Sequence, residues 1–278
     1  MKKTFDDLSK NCSRITTQMY STSFSAGIKL LDKPLHDPIY SIYGFVRFAD
    51  EIVDSFHDFP KEKLSADFRK DTFKAIEEGI SLNPILNSLQ WVVNKYDISL
   101  ELIDTFLKSM EMDLKQKQHD LKSYETYILG SAEVVGLMCL KVFCHENPGL
   151  YQELNYPAKK LGAAFQKINF LRDLKDDYII LGRNYFPDVD FENFTKENKL
   201  KLESEIEQDF NEGLIGILQL PKSSRSGVYL AYTYYKALFS KIKSTPVNRI
   251  LKERIRVPDN EKYFLLAKTF ISHKFALF

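Results

Sequence analysis

Long uncharged runs, glycine and paired cysteine are what this chain of 278 residues has little of. Its best apolar stretch, Val134 to Phe143, is cut by Lys141, so the sequence predicts no run of membrane-spanning length. With 11 glycines and neither a G-x-G-x-x-G nor a P-loop, it offers no nucleotide-binding fingerprint. Cys12, Cys139 and Cys144 are odd in number and lack C-x-x-C spacing. That excludes a disulfide framework and a structural zinc site, and fits buried thiols in a reducing compartment. The five histidines are scattered, with no H-E-x-x-H. After its two lysines the N-terminus, MKKTFDDLSKNCS, has no apolar core, so no signal peptide is expected. Against 39 basic residues stand 38 acidic ones, a net charge of +1 that argues neither for nucleic acid nor for an anionic surface as partner, and no basic patch with interleaved aromatics suggests nucleic acid. Any electrostatic function must be local.

Strand signals are missing as well: no segment alternates convincingly, and no Asn-Gly or Asp-Gly turn occurs. Ten prolines punctuate intervals whose apolar residues recur at helical spacing. The fold class is therefore all-α, with residues 1–278 expected as one domain of roughly ten helices. Helices are predicted over residues 5–20, Pro38 to Phe56, 60–82 and 84–96. Asp97 or Ser99 caps the next, to about Gln118, and others cover 123–143, Pro157 to about Gly182, and Lys199 to Leu218. Ser21 to Ser25 reads as a hydroxyl-rich break, Ser223 to Gly227 as a polar turn before another helix, and KYFLLAKTFISHKF as the last element. Gly130, Ser131, Ala132 and Gly136 cluster within one helix, which suits close helix packing or ligand access equally.

Two helices carry an acidic stripe. Between Pro38 and Phe56, Ile42, Phe45, Phe48, Ala49, Ile52 and Phe56 form an apolar face, while Tyr43, Arg47, Asp50 and Asp54 share the other. Between Phe165 and Pro187, at about 100° per residue, Gln166, Asn169, Asp173 and Asp177 align opposite Leu161, Ala164, Phe165, Ile168 and Leu171. Carboxylates one turn apart sit about 5–6 Å apart at Cβ and repel unless a cation lies over them. Two D-x-x-x-D pairs of hard oxygen ligands suit Mg²⁺, which keeps waters and is completed by substrate phosphates. Arg47, Arg172, Arg183, Arg254 and Arg256 supply guanidinium forks for further phosphate oxygens.

The segments YSTSFSAGIKLL, YGFVRFADEIVD, Tyr127 before GSAEVVGLM, and LGAAFQKINFLRDLKDDYIILGRNYFP resemble the squalene and phytoene synthase family of head-to-head prenyltransferases, from about Ser13 to Lys262. The resemblance implies an isoprenoid-synthase fold whose two Asp-rich motifs face each other across a cavity, binding Mg²⁺, or Mn²⁺ in its place, and prenyl diphosphates. It makes Asp50, Asp54, Asp173 and Asp177 the metal ligands and Gln166 and Asn169 the polar pair before the second motif. Ser21, Ser23, Phe24, Tyr43 and Arg47 match residues that meet diphosphate, Arg183 the arginine of G-R-x-Y-x-P, and Tyr127 a cavity tyrosine. Tyr235 and Arg254 match a late tyrosine and arginine. The implied reaction joins two prenyl diphosphates through a cyclopropylcarbinyl diphosphate, with phytoene from two C20 substrates preferred to C30 dehydrosqualene or squalene from farnesyl diphosphate, and a non-catalytic family relative acting as an assembly or binding protein as the remaining alternative. The deprotonating base stays open between released diphosphate and a tyrosine. No nucleotide motif occurs before Phe278, so no NADPH is expected. A cytoplasmic location is expected, with peripheral contact at the inner face of the membrane for product release left open, as is the oligomeric state. Two departures stand out: the first motif reads D-E-x-x-D, and Lys167 occupies a position usually apolar.

Overall fold

Polar caps and most of the prolines divide the chain into helices. The structure, a computed structural model, describes residues 1–187 and 189–274. Its helices are α1 (Lys2–Tyr20), α2 (Thr22–Lys29), α3 (Lys33–Asp54), α4 (Lys61–Glu78), α5 (Pro84–Tyr96), α6 (Leu100–Lys115) and α7 (Leu121–Ile128). They continue as α8 (Val134–Phe143), α9 (Pro148–Arg172), α10 (Lys196–Gln219), α11 (Lys222–Ser244), α12 (Val247–Ile250) and α13 (Asp259–Lys274). Two π-helical turns, Leu129–Glu133 and Lys175–Ile180, interrupt this pattern. Among the described residues there is no strand, only an isolated bridge between Gln118 and Asn184. The class is all-α.

The local starts follow capping chemistry. Asn83, Ser99, Asp120 and Asn147 each accept a backbone N–H at the head of α5, α6, α7 and α9, and Thr195 and Asn198 form a reciprocal capping box on α10. Ser99, not Asp97, caps α6; Asp97 ends α5 in the left-handed region, at φ 51°.

Several boundaries differ from the sequence expectation. Pro38 and Pro157 lie inside α3 and α9 rather than at their starts. A proline inside a helix forfeits one backbone hydrogen bond, and packing offsets that loss: a Cβ on Gly216 of α10 would fall 2.6 Å from the Pro157 Cβ. Ser21 is the N-cap of the short helix α2 rather than part of a break, and Ser223 to Gly227 belong to the first turns of α11. The last predicted element is α13, although its final residue, Phe275, lies outside the described residues. Phe48 and Phe56, predicted on the core face of α3, are 38% and 37% exposed, whereas Ile42, Phe45, Ala49 and Ile52 are buried.

One core cluster gathers α3, α5 and α6 around Phe45, Leu86, Leu89 and Phe106. A second gathers α9, α10 and α11 around Ile168, Phe210 and Phe239. Leu121–Phe143, which runs from α7 through a π turn into α8, is long and apolar enough to cross a membrane by length and composition. Here it is a core segment, with Tyr127, Gly130, Val134, Leu137, Met138 and Leu140 buried against the rest of the protein.

The small residues along that segment resolve into two uses. A Cβ on Gly130 would lie 2.5 Å from Ser109 Cβ, which is close packing against α6, while Ser131, Ala132 and Gly136 line a cavity. Gly162 on α9 abuts the same segment, and an added Cβ would lie 2.8 Å from the Ala132 carbonyl oxygen. Because that neighbour is backbone and cannot swing aside, Gly162→Ala is expected to destabilise the protein by about 1–3 kcal/mol. A thermal melt reads this, and an unchanged midpoint would refute the tight approach.

Candidate active site

Between these two core clusters and a third around Leu140, Leu154 and Leu220 lies a cavity of about 360 Å³. Its wall changes character along its length. Tyr43, Arg47 and Asp50 of α3, with Gln166 and Asn169 of α9, supply polar groups, while Leu140, Phe143, Leu154 and Leu220 supply aliphatic and aromatic ones. Tyr127 and Tyr235 also line it. The cavity is thus an apolar chamber with carboxylate and guanidinium chemistry confined to one part of its wall.

α3 and the α9 end place the two stripes together, and arginines hold them. Arg183 Nη1 donates to Asp54 Oδ1 at 2.8 Å, tying the segment after the second motif to the first motif. Arg47 Nη1 donates to Asp50 Oδ2 at 2.6 Å while its other nitrogens engage Glu51, and its guanidinium lies 4.3 Å over the Tyr20 ring. Asp173 takes two guanidiniums: Arg172 beside it, and Arg254 Nε at 2.7 Å. Asp177 has no ion-pair partner among the described residues. Asp173 closes α9, yet the Asp177 N–H still donates to the Asp173 carbonyl at 2.9 Å, so the pair remains one turn apart although the π turn Lys175–Ile180 breaks the regular period.

Carboxylate crowding is the dominant electrostatic fact. Burial, with Asp173 and Asp54 nearby, pushes the Asp177 carboxyl up to about 8. Burial and Asp54 push Asp50 up to about 7 against the opposing pull of Arg47. Such groups need more positive charge than the arginines provide. Hard oxygen donors with raised proton affinity fit a hard divalent cation. Among the described residues no three acidic, histidine or cysteine side chains converge on one point as they stand. Holding an ion would therefore require the aspartates to turn away from their arginines.

The remaining predicted residues fall in place around this end. Tyr235 Oη donates to Asn169 Oδ1 at 3.2 Å, and its ring stacks on Phe165 at 3.9 Å. Phe24 packs 5.6 Å from Tyr43 and 6.2 Å from Tyr235. Ser21 accepts the Phe24 N–H and hydrogen-bonds the Tyr43 hydroxyl. Ser23 is half-buried on α2, with no hydrogen bond to another site residue among the described residues. Tyr127 is buried, and its hydroxyl donates to Asp113 Oδ2 at 2.6 Å.

Asp113, on α6, is the residue that sequence reasoning missed. It also accepts from Tyr185 Oη at 2.9 Å, and its backbone carbonyl accepts from Arg183. Burial pushes its carboxyl up to about 6 although Arg183 pulls the other way. Neither Asp113 nor Tyr185 has an acidic partner one turn away to mark it, though Tyr185 stands two residues after Arg183 in the G-R-N-Y-F-P segment. Lys167 turns away from this cavity. Its Nζ donates to Asp209 Oδ2 at 2.6 Å and to Glu205, both on α10, which explains a lysine at an inward position of α9.

The all-α fold and the two Asp-rich motifs brought together beside a cavity are what the sequence resemblance implies, and comparison with known proteins shows the family. Residues 17–261 match the squalene/phytoene synthase family, and the chain belongs to it. It is 30% identical over 171 residues to a presqualene diphosphate synthase of Rhodopseudomonas palustris, covering 60% of this chain and 58% of that one. A phytoene synthase of Arthrospira platensis is 24% identical over 280 residues, covering 92% and 90%. The chain spans 58% and 64% of the length of the Rhodopseudomonas enzyme and of a chloroplastic phytoene synthase of Solanum lycopersicum. Among solved structures, a dehydrosqualene synthase in complex with ligand superposes with a TM-score of 0.79 at 22% identity, covering 97% and 98% of the chains. A squalene synthase from Alicyclobacillus acidocaldarius gives 0.74 at 20%, covering 84% and 93%; both likenesses concern the fold.

Proposed function

We propose that this chain joins two allylic prenyl diphosphates head to head through a cyclopropylcarbinyl diphosphate, and that two C20 substrates give phytoene. The observation that carries this reading is the facing pair of aspartate motifs, knit by Arg47, Arg172, Arg183 and Arg254, beside an otherwise apolar cavity. Bound by Asp50, Asp54, Asp173 and Asp177, Mg²⁺, or Mn²⁺ in its place, would supply Lewis-acid neutralisation of the departing diphosphate.

The chain's own residues do the rest. Arginines now paired with the aspartates become available to diphosphate oxygens once those carboxylates turn to a cation; Arg47 and Arg183 lie closest to the first motif. The aliphatic wall receives the prenyl tails and excludes water from the allylic cation left after ionisation. The faces of Phe24, Tyr43, Phe165 and Tyr235 flank that space and favour positive charge. The C2=C3 bond of the second substrate attacks the cation, and ring closure releases one proton. After a second ionisation and rearrangement, loss of another proton gives the conjugated triene. The Tyr127 hydroxyl, on the cavity wall and hydrogen-bonded to the buried Asp113, can take up a proton while passing its own to that carboxylate.

A second reading stops at the cyclopropylcarbinyl diphosphate made from C15 substrate; the likeness to a presqualene diphosphate synthase favours it. Purified protein with Mg²⁺ and either the C15 or the C20 diphosphate, followed by extraction and mass analysis, separates the two. A C40 triene from the C20 substrate without NADPH is expected. A phosphorylated C30 product from C15 alone would favour the second reading, and no coupled product from either substrate would overturn both.

A further inference from the structure

We propose that a second cavity, on the side of α9 away from the prenyl chamber, binds a small organic monocation: a protonated amine on a short apolar frame. This cavity, of about 660 Å³, lies between α7, the Leu129–Glu133 π turn, α9 and α10. On α9 the two chambers divide the residues, with Leu161, Phe165 and Gln166 lining the first and Lys160, Ala163 and Lys167 the second. Nothing in the prenyl chemistry uses the second.

Its wall is built rather than incidental. Lys167 is 7% exposed and Asp209 only 2%, and besides the Lys167 bond Asp209 accepts from Lys160 Nζ at 3.0 Å. Burying such charges costs more than an apolar wall would, so they mark a polar surface held in place. Two groups there are left over. Tyr124 is 5% exposed, lines the cavity in the field of Glu205 and Asp209, and its hydroxyl has no hydrogen-bond partner among the described residues. A buried hydroxyl without a partner is costly, and a ligand can supply the missing bond. Glu133, half-buried in the π turn, has no ion-pair partner among the described residues, and burial raises its pKa against the pull of Lys159, Lys160 and Lys167.

The charge count selects the ligand. Among the described residues, four carboxylates and three lysines line the cavity, an excess of one negative charge when all are ionised. An anion would meet the unpaired Glu133. A metal ion lacks a site, since no three acidic, histidine or cysteine groups converge among the described residues. An ammonium can donate both to Glu133 and to the unpartnered Tyr124 oxygen. Ile128, Phe186 and Leu202 offer an apolar wall for the frame that carries it.

Calorimetric titration of the full chain with n-butylammonium, n-butanol and butyrate tests this. Saturable binding of n-butylammonium is expected, about ten-fold or more tighter than n-butanol, with no butyrate binding, as a charge-assisted bond requires. Glu133→Gln and Tyr124→Phe should each weaken it several-fold, while Asp50→Asn leaves it unchanged. Should Glu133→Gln fail to give a native circular dichroism spectrum, Tyr124→Phe, which removes one oxygen only, decides the matter. Equal binding of the alcohol, no saturable binding, or affinity lost in Asp50→Asn but kept in Glu133→Gln would overturn the proposal. The last outcome would place the cation in the prenyl chamber.

Discussion

Replacing Asp177 with asparagine is expected to lower kcat/KM by about 10³-fold or more while raising the thermal midpoint of the metal-free protein. The two effects have one cause. Asp177 has no ion-pair partner among the described residues, and Asp173, Asp54 and Asp113 all oppose its ionisation. In the absence of a cation, burial and these carboxylates outweigh the pull of Arg183, so removing the carboxyl relieves the folded state. If the carboxylate serves to hold an ion at the diphosphate, the same change removes a ligand from the reaction. A site that trades stability for function in this way gives opposite signs for the two measurements. Asp50→Asn should lower activity comparably without the same stabilisation, because it also takes away the partner of Arg47 Nη1, leaving that guanidinium only Glu51. Steady-state kinetics and calorimetric melts in chelator read both. Unchanged turnover in Asp177→Asn would reduce the second stripe to a solvated face.

The two stripes were legible because i,i+4 periodicity is a local property, and so was the cap at Ser99, one of the two offered, whereas the Thr195 cap lay inside a stretch read as loop. What joins the stripes was not. Arg183 reads from sequence as a companion of Asp173 and Asp177, whereas it pairs with Asp54 on α3, and only the packing of the two core clusters brings that helix within reach. Asp113 escaped for the same reason: a lone carboxylate on α6 gains meaning only when Tyr127 and Tyr185 arrive from later segments. Lys167 broke the apolar pattern of α9 without visible cause until α10 supplied Glu205 and Asp209, themselves one turn apart. The π turns are invisible to any fixed period, yet one carries Asp177 and the other Glu133. Local chemistry was readable; the pairing of distant charges was not.

That crowding also sets a pH dependence whose sign separates a metal site from an ordinary acidic surface. In the folded protein the carboxyls of Asp177 and Asp50 are pushed up to about 8 and about 7, well above an unfolded aspartate. A carboxyl that holds its proton more tightly when folded contributes stability only while it is protonated. In the unfolded chain these groups ionise near pH 4, so the metal-free folded state loses ground as pH rises from there until both have ionised in place. The thermal midpoint in chelator should therefore fall steadily between about pH 5 and pH 8. Surface carboxylates paired with lysine, such as Asp6, Asp104 and Glu207, are shifted the other way and act only at lower pH, where their ionisation is lost. A bound cation needs ionised ligands and binds the folded state alone, so saturating Mg²⁺ should raise the midpoint by more at pH 8 than at pH 6. Asp177→Asn should shrink both the downward slope and the Mg²⁺ gain. A midpoint flat from pH 5 to pH 8, or a Mg²⁺ effect of equal size at both values, would mean that these carboxylates are not gathered for a cation.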